Sequence, residues 1–358
     1  MNRLLLDRYL MREAATAWAA VTFVLLAIMM STRFASVLGI AAKGDLPREL
    51  LFKVAMLSTL RYLVILIPAS LLLAIMLSLG RLYSDNEIAA MSGCGVGLNR
   101  LYRPFLWLAA ALAVLTGVLS FSVGPWAGRQ ADYLVKDARR LVQYTPFEPG
   151  QFKAAAGGKA VFYTASMNPQ GNQFGQVFGQ VEEPKGGTSV VVADHGEQSS
   201  DTASGDRQIR LYDGTRYLGV PGSTDYEVVK FKQLDLRLSP PAFDYINNQR
   251  VLKTTGELWG SSNREDLAEL HSRLAAPMSV LILALLAVPL SYLRPRQGRY
   301  GKLVLGILAV LVYLNLISFG TTWVGKGKIP AGVGLWWVHA LMLAVALWLI
   351  ARRQGWVR

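Results

Sequence analysis

Only six acids lie outside the long polar middle of this 358-residue chain, and one of them, Glu87, sits in a stretch that presents it. In GRLYSDNEIAAMSGCGVG, residues 80–97, Arg81 opens the segment and Ser84 or Asp85 offers a helix N-cap, with Glu87 three residues after Ser84. Tyr83, Ile88 and Met91 can share one face, so the piece reads as a short helix lying along a membrane surface. Gly93, Gly95 and Gly97 end it. A carboxylate on such a helix, held between two apolar spans, can receive a push from a separate motor subunit by docking against a basic side chain there. Asp85, Tyr83, Ile88 and Met91 are expected to share that contact with Glu87. The same pattern also serves as an ordinary surface loop with a capping glutamate.

The second group of reactive residues is cationic. Arg33, Lys43, Arg48, Lys53, Arg61, Arg273, Lys326 and Lys328 lie on or toward the membrane face opposite that stretch, accompanied outside the polar middle only by Asp45 and Glu49. One such residue would be an anchor snorkelling to headgroups. Arg61 lies two to three helical turns inside its span, roughly 10–15 Å along the axis. An ionised residue at that depth costs several kcal/mol unless it pairs or faces a polar cavity. No acid of this chain sits at matching depth. The partner is therefore a second subunit or an external anion, and a phosphorylated lipid drawn into a lateral cavity would satisfy these cations through charge-assisted contacts.

Catalytic patterns are absent from the sequence. There is no GxxxxGK[ST] loop, no GxSxG elbow and no HExxH, and His195, His271 and His339 stand apart from one another and from any carboxylate pattern. Cys94 is the only cysteine, so the polar middle has neither disulfides nor a thiolate metal site. The chain reads as non-catalytic, with no cofactor and no metal. An intramembrane lipid enzyme would need paired acids or histidines in the spans.

The elements that position these residues follow from composition. The chain is 52% hydrophobic and 17% charged, the profile of a polytopic membrane protein with a sizeable polar part. Leu4, Leu5, Leu6, Tyr9, Leu10 and Met11 form an apolar stripe edged by Arg3, Arg8 and Arg12, an interfacial helix that reads as a retained lead-in rather than a removed signal peptide. Spans are predicted at Ala14–Met30, Leu50–Leu79, Phe105–Val123, Pro277–Leu293, Leu303–Trp323 and Val333–Ile350, with a loop at Thr32–Glu49 and a bend at Pro68. Residues 125–270 lose the apolar runs and gain alternation. Strands are expected at Ala160–Met167, Gln176–Glu183, Ser189–Asp194, Gln208–Leu218 and Tyr226–Leu238, with a hairpin at Asp213-Gly214 and helical connectors at Trp126–Leu141 and Arg264–Leu274. The fold class is thus an α-helical polytopic membrane protein of six transmembrane helices with an all-β domain, a sandwich or jelly-roll, inserted between helices 3 and 4. The domains are 1–124, with the coupling stretch at 81–97, then 125–270 and 271–358.

Charge orients the chain. Residues 125–270 hold sixteen Lys and Arg against eighteen Asp and Glu, so the formal net charge of +13 belongs to the membrane part and a nucleic-acid reading fails. Arg3, Arg8, Arg12, Arg81, Arg100, Arg103, Arg294, Arg296, Arg299, Lys302, Arg352, Arg353 and Arg358 fall on one side if the spans alternate. The positive-inside rule makes that side cytoplasmic, with both termini, and the β domain extracytoplasmic.

GRLYSDNEIAAMSGCG closely resembles the coupling-helix region of the LptF/LptG family of lipopolysaccharide-export permeases, and the likeness extends over essentially the whole chain, including GKGK before the last span. Arg81-Leu82-Tyr83 before the acidic patch and PRQGR at 295–299 point to the LptF branch. The resemblance implies a multi-pass protein of the bacterial inner membrane with a periplasmic β domain. It implies a V-shaped cavity shared with a partner LptG, an LptB ATPase dimer below, LptC joining in membrane and periplasm, and LptA beyond. By its place at the end of the first span, Arg33 corresponds to the family's basic cavity residue. ATPase closure would push the coupling helix, the cavity would collapse, and lipopolysaccharide would pass from the outer leaflet into the β domain. Val161, Phe178, Val190 and Val192 are expected to line that conduit, with Val177 and Val191 facing outward. A membrane anchor that scaffolds periplasmic partners explains the same topology but leaves Arg33 and Arg61 without purpose.

Overall fold

The computed structural model describes residues 3–42, 46–143, 149–155, 160–168, 170–182, 187–200, 207–223, 225–238, 245, 249–292 and 301–353. The chain divides into two compact units. Met1–Gly39, Leu51–Asp132 and Ile246–Arg358 form one, and Ile40–Leu50 with Tyr133–Tyr245 the other.

The first unit is helical. Its elements are α1 (Arg3–Ala42), α2 (Leu51–Ser84), α3 (Glu87–Gly93), α4 (Leu98–Val118), α5 (Gly124–Gln143, which runs on into the second unit), α6 (Thr255–Trp259), α7 (Arg264–Leu290), α8 (Gly301–Gly325) and α9 (Trp336–Arg353). Among the described residues, six helical stretches are long and apolar enough to cross a membrane: α1, α2, the run from α4 into α5, α7, α8 and α9. Leu71, Leu72, Ile75, Leu79, Phe105, Leu283, Leu286 and Tyr313 are fully buried in one core, and α7 packs against α2, α4, α8 and α9 to make its centre.

Several helix boundaries differ from the sequence reading. The interfacial helix and first span are a single 40-residue helix, and the loop expected from Thr32 is helical as far as Ala42. No proline and no glycine before Gly39 interrupts the run, and the Thr32 hydroxyl returns to the Met29 carbonyl at 2.8 Å. The third span does not stop at Val123 either, because a π-helical turn at Leu119–Val123 carries it directly into α5. Ser84 does not cap α3. It is the last residue of α2, with its hydroxyl on the Gly80 carbonyl at 3.0 Å, and Asn86 enters α3 in the left-handed region (φ 57°) with no side-chain cap. Packing rather than capping places α3: Ile88 is buried and Met91 half-buried against the core. Burying one such side chain contributes roughly 1.5–3 kcal/mol.

The second unit carries β1 (Lys153–Ala155), β2 (Ala160–Met167), β3 (Gln173–Glu182), β4 (Thr188–Ser200), β5 (Arg207–Gly219) and β6 (Tyr226–Leu238). They form one antiparallel sheet in consecutive order, an all-β domain inserted between helical segments as expected. Among the described residues there is one sheet, an up-and-down meander, and no second layer of the kind a sandwich packs. Asp213-Gly214 makes no hairpin, since β5 runs through it with Asp213 at φ 48°.

The pairing skips one aligned row. Ala165, Gln176, Asp194, Asp213 and Lys232 have no ladder partner, although residues on either side pair in unbroken register across β2–β6. At this row each of the central strands spends two successive residues on one face. Phe174 and Val177, Ala193 and Gly196, and Leu211 and Gly214 therefore share the apolar face at a spacing of three rather than two.

Candidate functional site: a coupling end and a cationic end

At the α3 end, polar residues from three helices meet. The Tyr9 hydroxyl of α1 donates to Glu87 Oε2 at 2.8 Å. One turn further along α1, Glu13 Oε1 lies 2.9 Å from an Arg81 terminal nitrogen, and Arg81 Nε lies 3.6 Å from Asp85 Oδ2. Glu87 and Asp85 thus stand side by side at the surface, each already touched by a neighbour. Tyr83, Ile88 and Met91 point the other way. Tyr83 packs edge-on against Tyr292, ring centroids 5.8 Å apart, and its hydroxyl accepts from Arg353. The Arg353 guanidinium lies over the Tyr292 ring at 4.9 Å and donates to the Val288 carbonyl. A cleft of about 240 Å³ opens between Ile88, Met91, Val96, Leu101 and Arg353. The face expected to meet the motor subunit is therefore split. The acids are presented, while the apolar residues seat α3 on the bundle.

Tyr9 and Arg353 were not singled out as partners of this stretch by sequence reasoning. Arg353 is 270 residues from Tyr83, and no local pattern could have joined them.

At the opposite end of α2 the cations sort into two kinds. Arg273 is 4% exposed and each of its nitrogens is committed. Nε meets Glu269 Oε1 at 3.1 Å, one terminal nitrogen donates to Thr255 Oγ1 at 2.9 Å, and the other to the Lys253 and Val251 carbonyls at 2.9 and 3.2 Å. Beside it, Lys253 pairs with the buried Asp266 at 2.7 Å, and the Ser261 hydroxyl donates to the same carboxylate oxygen at 2.7 Å. The Lys253–Asp266 pair and the Arg273 hydrogen bonds to Thr255, Val251 and Lys253 fasten α6 and the turn before it to α7. Arg273 is a structural cation.

Arg61 belongs to the second kind. It is half-buried, makes no hydrogen bond or ion pair among the described residues, and lines a cavity of about 210 Å³ with Ile65, Ser120, Glu269, Ser272 and Arg273. Arg61 and Arg129 both bear electrostatically on Arg273, so two further cations share the surroundings of one carboxylate, Glu269. Arg33 stacks over the ring of Tyr62, the next residue after Arg61, at 4.0 Å. A cation over an aromatic face is stabilised by about 0.5–2 kcal/mol, and its charge stays available. Lys53, Lys326 and Lys328 are exposed, the last two in the turn after α8. Lys43 and the Arg48 side chain lie outside the described residues. Of the predicted cations, Arg33 is held over the Tyr62 ring and Arg61 lines the cavity beside Arg273.

Each of the three histidines has a partner within the chain. His339 Nδ1 lies 2.7 Å from the Tyr313 hydroxyl in the core, His271 Nε2 lies 2.8 Å from the Ala331 carbonyl, and His195 stacks on Tyr212. No group of His, Cys, Asp and Glu among the described residues could hold a metal ion.

In the β unit, the facing of the expected conduit residues is reversed. Phe174, Val177, Ala193, Ile209 and Leu211 form the buried face, with Val191, Phe231 and Leu234 packed on it. Val161, Phe178, Val190 and Val192 share the other face, where Val192 is 45% exposed and Phe178 lies beside Tyr163 and Phe152. Counting by twos from Phe174 selects Phe178. The skipped row at Gln176 selects Val177.

The sequence matches the family described as lipopolysaccharide export system permease LptF/LptG over residues 8–352. It is 30% identical over 346 residues to the lipopolysaccharide export system permease protein LptF of Escherichia coli strain K12, covering 96% of this chain and 94% of that protein. The LptF protein of Shigella flexneri matches with the same identity and coverage. Six spans, an inserted β sheet and a similarity that runs nearly end to end make this chain a member of the LptF/LptG family of lipopolysaccharide export permeases.

Proposed function

We propose that this chain is the transmembrane permease subunit of an ATP-driven exporter that draws lipopolysaccharide from the outer leaflet of the inner membrane and passes it to a periplasmic bridge. The partners would be LptG in the membrane, an LptB ATPase dimer on the cytoplasmic side, LptC, and then LptA. The α3 end and both termini are cytoplasmic in this reading, and the β unit is periplasmic, which the distribution of basic residues supports. ATP hydrolysis belongs to the separate subunit, and the chain contributes no catalytic group. Glu87 receives the stroke, and Asp85 reaches the partner from the same edge. Tyr83, Ile88 and Met91 act by holding α3 rigidly on the bundle.

The observation that carries the reading is the pair Arg33 and Arg61. The Arg33 guanidinium lies over the ring of Tyr62, Arg61 lines a cavity with Ser120, Ser272 and Arg273, and no carboxylate is bonded to either among the described residues. Such charges are tolerated there when an anion visits them. Lys53, Lys326 and Lys328, with Lys43 and Arg48, would add a looser cationic rim where phosphates first arrive.

The test is charge reversal with bound lipid as the readout. Arg33→Glu and Arg61→Glu should each insert normally and each reduce crosslinking of lipopolysaccharide to the purified complex by about tenfold, the loss of one charge-assisted contact. Unchanged crosslinking in both variants would remove the phosphate-binding role.

A further inference from the structure

Two polar contacts tie the start of α1 to the coupling stretch. Tyr9 and Glu13 are four residues apart and so lie on one face of α1. Tyr9 donates to Glu87 Oε2 at 2.8 Å and Glu13 receives Arg81 at 2.9 Å. Leu6, Leu10 and Ala14, all buried, press the adjoining face of the same turns into the core. Beyond them α1 is mostly exposed: only 6% of its most apolar stretch is buried. The helix is thus gripped chiefly at the end that touches Glu87.

A carboxylate accepts at both oxygens. With Oε2 taken by the Tyr9 hydroxyl, Oε1 has no partner among the described residues. A glutamate at the surface otherwise samples several rotamers, and fixing it is an entropic cost of binding. A hydroxyl that holds one oxygen meets that cost before the partner arrives and leaves the other oxygen to accept from it. Tyr9 is itself 39% exposed, so it stands at the edge of the same surface.

We propose that Tyr9 is a positioning residue for the coupling carboxylate, making the first turns of α1 part of the surface that a basic side chain of the cytosolic ATPase subunit engages. This rests on the reading of Glu87 as the docking acid.

The experiment titrates the ATPase subunit onto the full-length permease complex in lipid nanodiscs and compares Tyr9→Phe, Glu87→Ala and the double variant. Tyr9→Phe keeps the ring and removes only the hydroxyl, so the thermal unfolding midpoint should not move. Affinity should fall about fivefold to tenfold, the size of one typical hydrogen bond. In the Glu87→Ala background, Tyr9→Phe should cause no further loss. If Glu87→Ala weakens binding and Tyr9→Phe alone does not, Tyr9 positions nothing and the proposal is wrong. An equal loss from Tyr9→Phe in both backgrounds would mean that Tyr9 touches the partner directly, which also overturns positioning. Unchanged affinity in Glu87→Ala itself would sink the docking role of Glu87 and the proposal together, a result distinct from the first.

Discussion

Arg273 and Arg61 are the same residue type on facing helices, and the structure gives them opposite work. Arg273, itself buried, holds a carboxylate, a hydroxyl and two carbonyls, so removing it leaves the half-buried Glu269 without its bonded cation and three further acceptors without their donor. Breaking one side of such a pair costs about 3–5 kcal/mol. Arg273→Ala is expected to lower the thermal unfolding midpoint of the purified protein sharply, and a midpoint within a degree of wild type would contradict the structural role. Arg61→Ala removes a side chain that bonds to nothing among the described residues. It should leave the midpoint nearly unchanged and weaken lipid capture instead. The pair of measurements separates a cation that builds the site from one that uses it. The Glu269 partner, four residues before Arg273 on α7, was legible in the sequence, but the burial of Arg273 and its partners 18 to 22 residues away were not.

At the scale of elements, close approach of helices is the stabilising device. A Cβ built on Gly306 of α8 would lie 2.4 Å from Met76 Sδ and 3.0 Å from Leu72 Cδ2 of α2. Met76 is flexible enough to yield to one methyl group, but not to a branched side chain. Gly306→Val should therefore cost about 1–3 kcal/mol, read as a lower unfolding midpoint, and Gly306→Ala much less. Equal effects would show that α2 and α8 part readily. The spans themselves were legible in the sequence, since runs such as Leu63–Leu79 are apolar for longer than any soluble core helix needs. Strand positions were legible as well: β2 and β6 fall on the residues that alternation marks. Helix ends were not. Ser84 carries the residue type of an N-cap but sits where α2 is still held by the core through Leu79 and Leu82, and tertiary packing overrides a cap signal worth about 1 kcal/mol. Facing within the sheet was also hidden, because a backbone that turns left-handed at Gln176 and Asp213 changes which residues look inward without changing their types.

For the whole molecule, the proposed lipid path would draw on both units, and each can be questioned by itself. If the β unit conducts acyl chains, they should meet its packed apolar face. Photo-crosslinkers at Val177 and Val191 should then capture lipopolysaccharide when ATP is supplied, while those at Phe178 and Val192 should not. This reverses the assignment that alternation alone suggests. Capture at Phe178 and Val192 only would return the path to the other face, and equal capture on both faces without ATP would leave the unit a docking module. The open edge of β6, 13 residues long and unpaired on one side among the described strands, presents the main-chain groups that another sheet would need.

The skipped row across β2–β6 divides the sheet into two panels joined along a seam. Bending a sheet anywhere else strains a ladder of backbone bonds, whereas along this line Ala165, Gln176, Asp194, Asp213 and Lys232 hold none of the ladder pairing. The panels are expected to change their mutual angle about this line while keeping their pairing, which would open or close the apolar face without melting a strand. Hydrogen exchange of the intact protein should find amides on the seam opening faster than those two residues to either side. Uniform protection across the sheet would mean that the panels move as one plate.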